Sequence, residues 1–321
     1  MSDNVAHALS GAGGGIVSML LTYPLITVSS RLQVQRKQAT AEEGQVKRSN
    51  LALIQKILQD EGVYGLFSGV ESAVFGNAIT NGVYYFFFEW IKGGFQRASG
   101  RRSMSTVESM IAGAISGAAV VLSTNPIWVV NMRQTTKKNS VDEDEAQIEG
   151  EQKSPATAKA KAASEGFWPM LLRIVKEDGV LALWQGTLPA LILVINPIIQ
   201  YTVFEQLKAR WQRRRTLGSL DFFLLGAISK LAATTITYPY IVVKSRMQLR
   251  QSKDESKRYN SVLDGLRKIV RQEGIEGLYR GIEFKLIQSV LTSAFLFMAK
   301  EQFYSYAVLV IALFSRSTSR K

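Results

Sequence analysis

The feature that most constrains the fold is a pattern that occurs three times along the chain. A proline preceded by Thr-Tyr or Thr-Asn is followed seven positions later by an arginine. Farther on come an acid-glycine pair and a second glycine eight residues after the acid. The three sets are Pro24, Arg31, Glu61 and Gly69; Pro126, Arg133, Asp178 and Gly186; and Pro239, Arg246, Glu273 and Gly281. The same order at the same internal spacing indicates three copies of one structural unit.

Each unit predicts a long helix bent by its proline, a short amphipathic helix and a second long helix. A proline inside a helix frees a backbone carbonyl, which a membrane tolerates where neighbours or a cavity satisfy that group. The acid-glycine pair is typical of a helix end, where glycine adopts the left-handed conformation. The predicted short helices lie near 51–60, 169–177 and 262–272. The predicted repeats are 1–100, 101–215 and 216–321, and 139–166 is so charged that we expect a disordered loop there.

Six apolar runs predict an all-α membrane protein. Each is about 25 to 35 residues long, enough to cross a hydrocarbon core of roughly 30 Å with tilt. Ser, Thr, Asn, Gly and single charges recur inside them, which is typical of a helix bundle around a wet interior, since polar groups facing lipid are costly. The runs lie near 5–34, 70–95, 107–135, 187–211, 220–249 and 282–314.

The charge is strongly basic, with 39 Lys and Arg against 26 acids and a net charge of +13. Such an excess suits anionic lipid headgroups, an anionic solute or nucleic acid. Nucleic acid is disfavoured because no recognition motif accompanies the charge. Headgroup contacts account for most of the excess in our interpretation. Basic residues flank the spans on both sides, so the membrane orientation stays open.

The sequence offers few of the residues that catalysis or metal binding would use. Cysteine is absent and His7 is the only histidine, so we expect no disulfide and no metal site. The glycines at 11–15 lack the lysine of a phosphate-binding loop, and no nucleophile-base pair stands out. We therefore expect no catalytic residues and no cofactor. The ends show no leader and no peroxisomal Ser-Lys-Leu tail, so internal targeting signals are expected.

At the repeated motifs the chain resembles the mitochondrial carrier family. That family carries P-x-[DE]-x-x-[KR]-x-[KR] followed by [DE]-G-x(4)-[YWF]-[KR]-G, and the resemblance spans about residues 5–310. It implies a pseudo-threefold barrel of six tilted transmembrane helices around one central cavity, with three short helices on the inner side. It also implies solute transport by alternating access.

The chain departs from this family at the inner gate. The expected acid two residues after each proline is replaced by Ile26, Trp128 and Ile241. The expected base five residues after the proline remains only as Lys244, with Ser29 and Asn131 at the other two positions. The bracing glutamine, nine residues after the proline, is present as Gln33 and Gln248 but is Thr135 in the second repeat. We therefore expect an inner gate held by packing and hydrogen bonds rather than by a ring of salt bridges.

The resemblance implies a second gate on the other side, formed by charges near the ends of the second long helices. Acid and base three residues apart share one helix face, and we predict interhelical pairs of Lys92 with Glu205, Lys208 with Glu301, and Tyr304 with Glu89. The alternative is that these charges only lie in the headgroup layer. The gate residues are Glu89, Lys92, Glu205, Lys208, Glu301 and Tyr304.

The resemblance also implies substrate contacts about twelve residues before these acids. The positions are Gly76 and Asn77, then Ile192 or Leu193, then Gln288 or Ser289. Lys230 and Lys285 are the candidate cations, because a lysine deep in a span is costly unless it has a function or a partner. Snorkelling, pairing or headgroup contact are the alternatives for both. Polar and aromatic side chains that face the same way, and that otherwise bridge helices, are Asn81, Tyr85, Asn196 and Tyr201.

Several segments resemble the peroxisomal subgroup of these carriers, including TNPIWVV, KLAATTITYP and KLIQSVLTSAFLFMAKE. This resemblance implies a peroxisomal membrane protein, monomeric, that exchanges ATP for AMP or ADP, with no nucleic-acid partner. The partners are then a small anionic adenine-containing solute and the lipid bilayer. The alternatives are a carrier of NAD, coenzyme A or FAD in the peroxisomal or mitochondrial inner membrane, a carrier-fold scaffold that does not transport, and a membrane enzyme.

Overall fold

The computed structural model describes residues 2–35, 43–100, 103–136, 166–213, 216–249 and 259–295. The described residues form α-helices and short 3-10 turns, and no strand occurs among them. The predicted all-α fold is therefore confirmed. Nearly all of the predicted disordered loop at 139–166 lies outside the described residues, as do Glu301 and Tyr304.

The same order of elements occurs three times. The first set is α1 (Ser2–Val34), α2 (Glu43–Asp60), a 3-10 turn (Val63–Phe67) and α3 (Val70–Ser99). The second set is α4 (Thr106–Thr136), α5 (Phe167–Asp178), a 3-10 turn (Val180–Trp184), α6 (Thr187–Ile192), a 3-10 turn (Leu193–Ile195) and α7 (Asn196–Gln212). The third set is α8 (Ser219–Gln248), α9 (Val262–Glu273), a 3-10 turn (Ile275–Tyr279) and α10, which the structure describes over 282–295.

The helices α1, α4 and α8 each contain one of the three repeated prolines and are called the proline helices. Their helical hydrogen bonding continues past the proline in each case, and a bend there stays a prediction. The glycine of each acid-glycine pair ends a helix with the positive φ that the sequence predicted, but its ψ lies near 180° rather than at the left-handed helical value. These glycines are Gly62, Gly179 and Gly274, with φ of 68°, 83° and 75°.

Four segments of the described chain are long and apolar enough to cross a membrane. They are Gly14–Val34, Thr106–Thr136, Val180–Gln212 and Leu220–Gln248. The remaining long helix, α3, has 30 residues, which is ample length for a span. The chain is a multi-pass membrane protein.

The chain divides into two compact units. One is Thr27–Ile282, and the other joins Met1–Ile26 with Glu283–Lys321. Within the second of these units, the Thr22 and Thr292 hydroxyls lie 3.0 Å apart and form a hydrogen bond.

Each short amphipathic helix of the second and third sets packs against the end of its own proline helix. In the second set, Val129 and Val130 of α4 form a buried cluster with Ile174 of α5. In the third set, Val242 and Val243 of α8 cluster in the same way with residues of α9. Burying an aliphatic side chain away from water contributes about 1.5–3 kcal/mol, so these clusters fix the short helices to the proline helices.

Candidate functional site

The end of α1 carries a buried ion pair within its own repeat. Arg31 donates from Nη1 to Glu61 Oε1 at 2.6 Å and from Nη2 to Glu61 Oε2 at 2.8 Å. The Arg31 side chain is only 3% exposed. A two-pronged contact of this kind fixes both groups, because the planar guanidinium matches the carboxylate. It therefore joins the proline helix to the loop that follows the short helix.

The other two repeats form the same pair from the same motif positions. Arg133 pairs with Asp178, and Arg246 pairs with Glu273. The third pair is the most deeply buried, with both side chains no more than 2% exposed. The arginine seven residues after the proline and the acid before the glycine are therefore partners in all three repeats.

The same three arginines also connect the repeats to one another. Each donates its Nε to a backbone carbonyl nine residues after the proline of another proline helix. The contacts are Arg31 to Thr135 at 2.9 Å, Arg133 to Gln248 at 3.2 Å and Arg246 to Gln33 at 2.9 Å. They form a closed cycle from α1 to α4 to α8 and back to α1, which we call the arginine ring (Arg31, Arg133 and Arg246).

The physical basis of the arginine ring is the chemistry of a helix end. The last carbonyls of an α-helix have no partner within the helix, and the helix dipole favours a cation beside them. Thr135, Gln248 and Gln33 stand within the last two residues of α4, α8 and α1. Each arginine thus satisfies an orphan carbonyl of a neighbouring repeat while its charge is neutralised by its own acid.

Three glycines bring the repeats into close contact at the same level. Gly69, Gly186 and Gly281 precede the second long helices with φ of 80°, 76° and 77°, a conformation that favours glycine. A Cβ on Gly186 would lie 2.8 Å from Gln248 Cγ and 3.1 Å from the Lys244 carbonyl. The other two glycines meet the next proline helix in the same way. Gly69 approaches Asn131 and Thr135, and Gly281 approaches Ser29 and Leu32. The arginine ring and these three glycines together form what we call the closure layer.

Side-chain hydrogen bonds complete the closure layer. Gln33 donates to Ser29 at 3.1 Å and to the Tyr238 hydroxyl at 3.3 Å, and its Oε1 accepts from Ser245 at 2.7 Å. Gln248 donates to Asn125 at 3.4 Å. In the second repeat, where threonine replaces the glutamine, the Thr135 hydroxyl lies 3.2 Å from the Ser68 carbonyl. These contacts have the character that the sequence predicted for this level, namely packing and hydrogen bonds.

The charges near the ends of the second long helices are arranged differently. Lys92 contacts Glu89 of its own helix at 2.8 Å, and Lys208 contacts Glu205 of its own helix at 3.4 Å. All four side chains are substantially exposed. The interhelical pair of Lys92 with Glu205 is not made in this structure. The predicted partners Glu301 and Tyr304 lie outside the described residues.

On α3, the predicted substrate contacts differ in exposure. Gly76 is buried against α4, where a Cβ would come within 3.1 Å of Ile127 Cγ2. Asn77 is partly buried, whereas Asn81 and Tyr85 are exposed. Gly76 therefore serves a close helix contact in this structure.

The predicted contacts of the second repeat lie at an irregular part of its long segment. Leu193 is partly buried in the 3-10 turn between α6 and α7. Asn196 donates to the Thr237 hydroxyl of α8 at 2.7 Å, and Tyr201 is 44% exposed. Asn196 thus bridges α7 and α8, as the alternative interpretation of this side chain anticipated.

Lys230 lies two helical turns before Thr237 on nearly the same face of α8. It is partly buried, and no residue in the described part of the chain forms a hydrogen bond or ion pair with its ammonium group. The structure therefore leaves this charge available in the middle of a membrane-spanning helix.

The third set of predicted contacts lies on α10. Gln288 is buried and donates to Thr292 at 2.8 Å, while its Oε1 has no hydrogen-bond partner among the described residues. Ser289 donates to the Lys285 carbonyl at 2.9 Å. The Lys285 side chain is partly buried.

Comparison with known proteins decides the family. The model of a family described as mitochondrial carrier protein matches residues 2–99, 102–215 and 216–309. The chain belongs to the mitochondrial carrier family.

Individual members of the family align with this carrier over nearly its whole length. It is 35% identical to the peroxisomal nicotinamide adenine dinucleotide carrier of Arabidopsis thaliana, over 97% of this chain and 98% of that protein. It is 34% identical to the peroxisomal membrane protein PMP34 of Mus musculus, over 97% and 96%. It is 29% identical to the peroxisomal adenine nucleotide carrier 1 of Glycine max, over 97% and 94%. Two of these relatives are named as carriers, and this carrier lies with all three among the multi-pass proteins of the peroxisomal membrane.

Sequence reasoning noticed the arginines of this carrier but missed their partners. The signal was present, because Arg31, Arg133 and Arg246 recur at one distance from the proline and the three acids recur before a glycine. Charges of opposite sign that recur together in every repeat point to a pair within the repeat. The carbonyl contacts of the arginine ring had no such signal, since every residue has a backbone carbonyl and the residue type does not indicate which one accepts.

Proposed function

We propose that this carrier exchanges ATP for AMP or ADP across the peroxisomal membrane by alternating access, without covalent chemistry. The observation that carries the substrate class is Lys230, a partly buried lysine without a described partner in the middle of α8. A charge within a span is costly unless something compensates it. An anionic solute that passes along this helix supplies that compensation, and the relatives named for nucleotides support an adenine-containing one.

The closure layer supports a mechanism in which each repeat moves as a unit. The ion pairs of arginine with Glu61, Asp178 and Glu273 lie within repeats and persist when the repeats separate. Contacts between repeats at this level are hydrogen bonds from arginine to backbone carbonyls, hydrogen bonds made by uncharged side chains, and glycine packing. A hydrogen bond to a charged group contributes only about 1.5–3 kcal/mol, so substrate binding can offset the loss of these contacts.

The charges near the ends of α3 and α7 complete the proposed transport cycle. In the proposed second state, Lys92 releases Glu89 and pairs with Glu205, Lys208 pairs with Glu301, and Tyr304 donates to Glu89. Exposed pairs contribute about 0.2–1 kcal/mol each, so exchanging an intrahelical partner for an interhelical one costs little. This end can therefore close while the closure layer opens.

NAD is the second candidate substrate, because the relative named for NAD is 35% identical to this carrier over the aligned residues. ATP and NAD both present an adenosine and a phosphate chain, so the same cation serves either. They differ at the far end of the molecule, where ATP carries its γ-phosphate and NAD carries nicotinamide riboside.

Transport by purified protein in liposomes tests the proposal. Liposomes loaded with AMP should take up labelled ATP, and uptake should stop when AMP is left out. The Lys230→Met variant should lose exchange while remaining folded, whereas Lys268→Met, which removes a partly exposed charge paired with Asp264 on α9, should exchange normally.

Three results would change the conclusion. Exchange of NAD but not ATP would select the second candidate. No exchange of any adenine compound would remove the nucleotide assignment and favour a scaffold. Normal exchange by Lys230→Met would reduce Lys230 to a structural role.

A further inference from the structure

The positions five residues after the three prolines occupy equivalent places in the closure layer. Ser29 donates its hydroxyl to the Gly281 carbonyl at 3.2 Å, and Asn131 donates its amide to the Gly69 carbonyl at 2.8 Å. Each therefore attaches its proline helix to the glycine of another repeat. Two of the three contact points are closed by uncharged side chains.

The third equivalent position is Lys244, which makes no such contact. Its backbone carbonyl lies beside Gly186, but no described residue forms a hydrogen bond or ion pair with its ammonium group. The side chain is partly buried. Ile241, one turn earlier on α8, is apolar and offers Lys244 no counter-charge.

The other cations at this level are already neutralised. Arg31, Arg133 and Arg246 each have a carboxylate partner in their own repeat. Among the described basic residues near the ends of the proline helices, Lys244 is therefore the one whose charge has no acid beside it. A partly buried charge of this kind favours the approach of an anion.

Lys244 also lies along one line with Lys230. The two lysines are 14 residues apart on α8, which is just under four helical turns and about 21 Å along the axis. They share nearly one face of the helix, with Thr237 between them on the same face. An anion that has reached Lys230 and moves along α8 next meets Lys244, at the closure layer. Lys244 is the next lysine on this helix without a described partner.

We propose that Lys244 binds a phosphate group of the transported nucleotide and that this contact promotes separation of the closure layer. The inference rests on the proposed function, since it assigns a phosphate contact to a solute already taken to be a nucleotide. Binding at Lys244 compensates its charge and places the ligand against the hydrogen bonds that connect the repeats. The ligand's phosphate count then controls both affinity and the opening step.

The experiment measures ligand binding and thermal stability of purified Lys244→Met in detergent, against wild type and Lys268→Met. The ligands are adenosine, AMP, ADP and ATP. Without ligand, Lys244→Met should melt at the wild-type temperature or above it, because an unpaired charge has been removed. Its Kd for ATP should rise about tenfold, the loss expected for one charge-assisted hydrogen bond. The rise should be smaller for AMP and absent for adenosine, and Lys244→Arg should bind ATP close to normally.

The outcomes separate this inference from the proposed function. If wild type binds none of the phosphorylated ligands, the proposed function fails. If wild type binds ATP and Lys244→Met binds it equally well, the inference is wrong and the proposed function stands. A lower melting temperature without ligand, or failure of Lys244→Met to fold, would mean that Lys244 supports the fold and would overturn the inference.

Discussion

The two ends of the unit Thr27–Ile282 hold their charges in opposite ways. In the closure layer, buried arginines pair with acids of their own repeat and reach the backbone of the next repeat. At the far ends of α3 and α7, partly exposed lysines pair with acids three residues earlier in the same helix. Among the described residues, hydrogen bonds connect the repeats at the first end, whereas the charges at the second end pair within their own helices. A carrier that alternates must exchange these two arrangements, and the difference shows which contacts have to break.

The largest expected effect comes from the arginine ring. Arg246→Met leaves Glu273, which is 1% exposed, as a buried charge that has lost its main partner. Breaking a buried pair costs about 3–5 kcal/mol, so we expect a large drop in melting temperature or loss of folded protein. The control is Arg173→Met, which breaks an exposed pair with Glu177 on α5 and should cost under about 1 kcal/mol. Equal effects in the two variants would contradict the comparison.

The next largest effect comes from the glycines of the closure layer. Gly186→Ala combines a positive φ with a Cβ only 2.8 Å from Gln248 Cγ, so we expect a loss of about 1–3 kcal/mol and impaired exchange. Gly94→Ala on α3 meets no atom within 4 Å and should be neutral or slightly stabilising. Melting temperatures of both variants check this, and a harmless Gly186→Ala would mean that the repeats are not tightly packed there.

A smaller effect on stability should distinguish the hydrogen bonds of Gln33 from that of Thr135 in the closure layer. Gln33→Leu removes bonds to Ser29, Tyr238 and Ser245, and leaving their partners unsatisfied costs about 1–3 kcal/mol. Thr135→Val removes a single hydroxyl, and a typical hydrogen bond contributes about 0.5–1.5 kcal/mol. Unfolding in denaturant measures both. If Thr135→Val lowers the free energy of unfolding more than Gln33→Leu does, Gln33 does not stabilise the closure layer more than Thr135.

The smallest effect on stability is expected at the opposite end. Lys92→Gln breaks an exposed pair with Glu89 and should lower stability by at most about 1 kcal/mol. Exchange in liposomes should nevertheless fall, because the proposed second state needs Lys92 beside Glu205. Lys176→Gln, on the exposed face of α5, should leave both unchanged. Normal exchange by Lys92→Gln would assign this end a headgroup role.

Much of the fold could be predicted because the repeated motifs consist of residue types with strong local conformational preferences. The prolines, the acid-glycine pairs and the apolar runs each constrain the backbone directly, and Gly62 shows the positive φ that its motif indicates. The absence of acids two residues after the prolines likewise predicted packing and hydrogen bonds in place of a ring of salt bridges, which suits the contacts of Gln33 and Gln248.

The rest depended on tertiary geometry. The ring contact from Arg31 to the Thr135 carbonyl joins residues 104 positions apart, and its acceptor is a backbone atom common to every residue. The role of Gly76 in packing against Ile127 was also hidden, because the same glycine suits a substrate contact. Asn196 was predicted as a substrate contact with helix bridging as the alternative, and its bond to Thr237 could be identified only once α7 and α8 were placed together.

Distance measurements at both ends in one experiment test the central claim most directly. The chain has no cysteine, so spin labels can be attached to introduced ones without background. Val63→Cys with Val180→Cys reports on the closure-layer side, and Trp90→Cys with Gln206→Cys reports on the opposite ends of α3 and α7. On adding ATP and AMP, the first distance should lengthen in the population in which the second shortens. Distances that stay fixed at both ends, or that change in the same direction, would contradict the account.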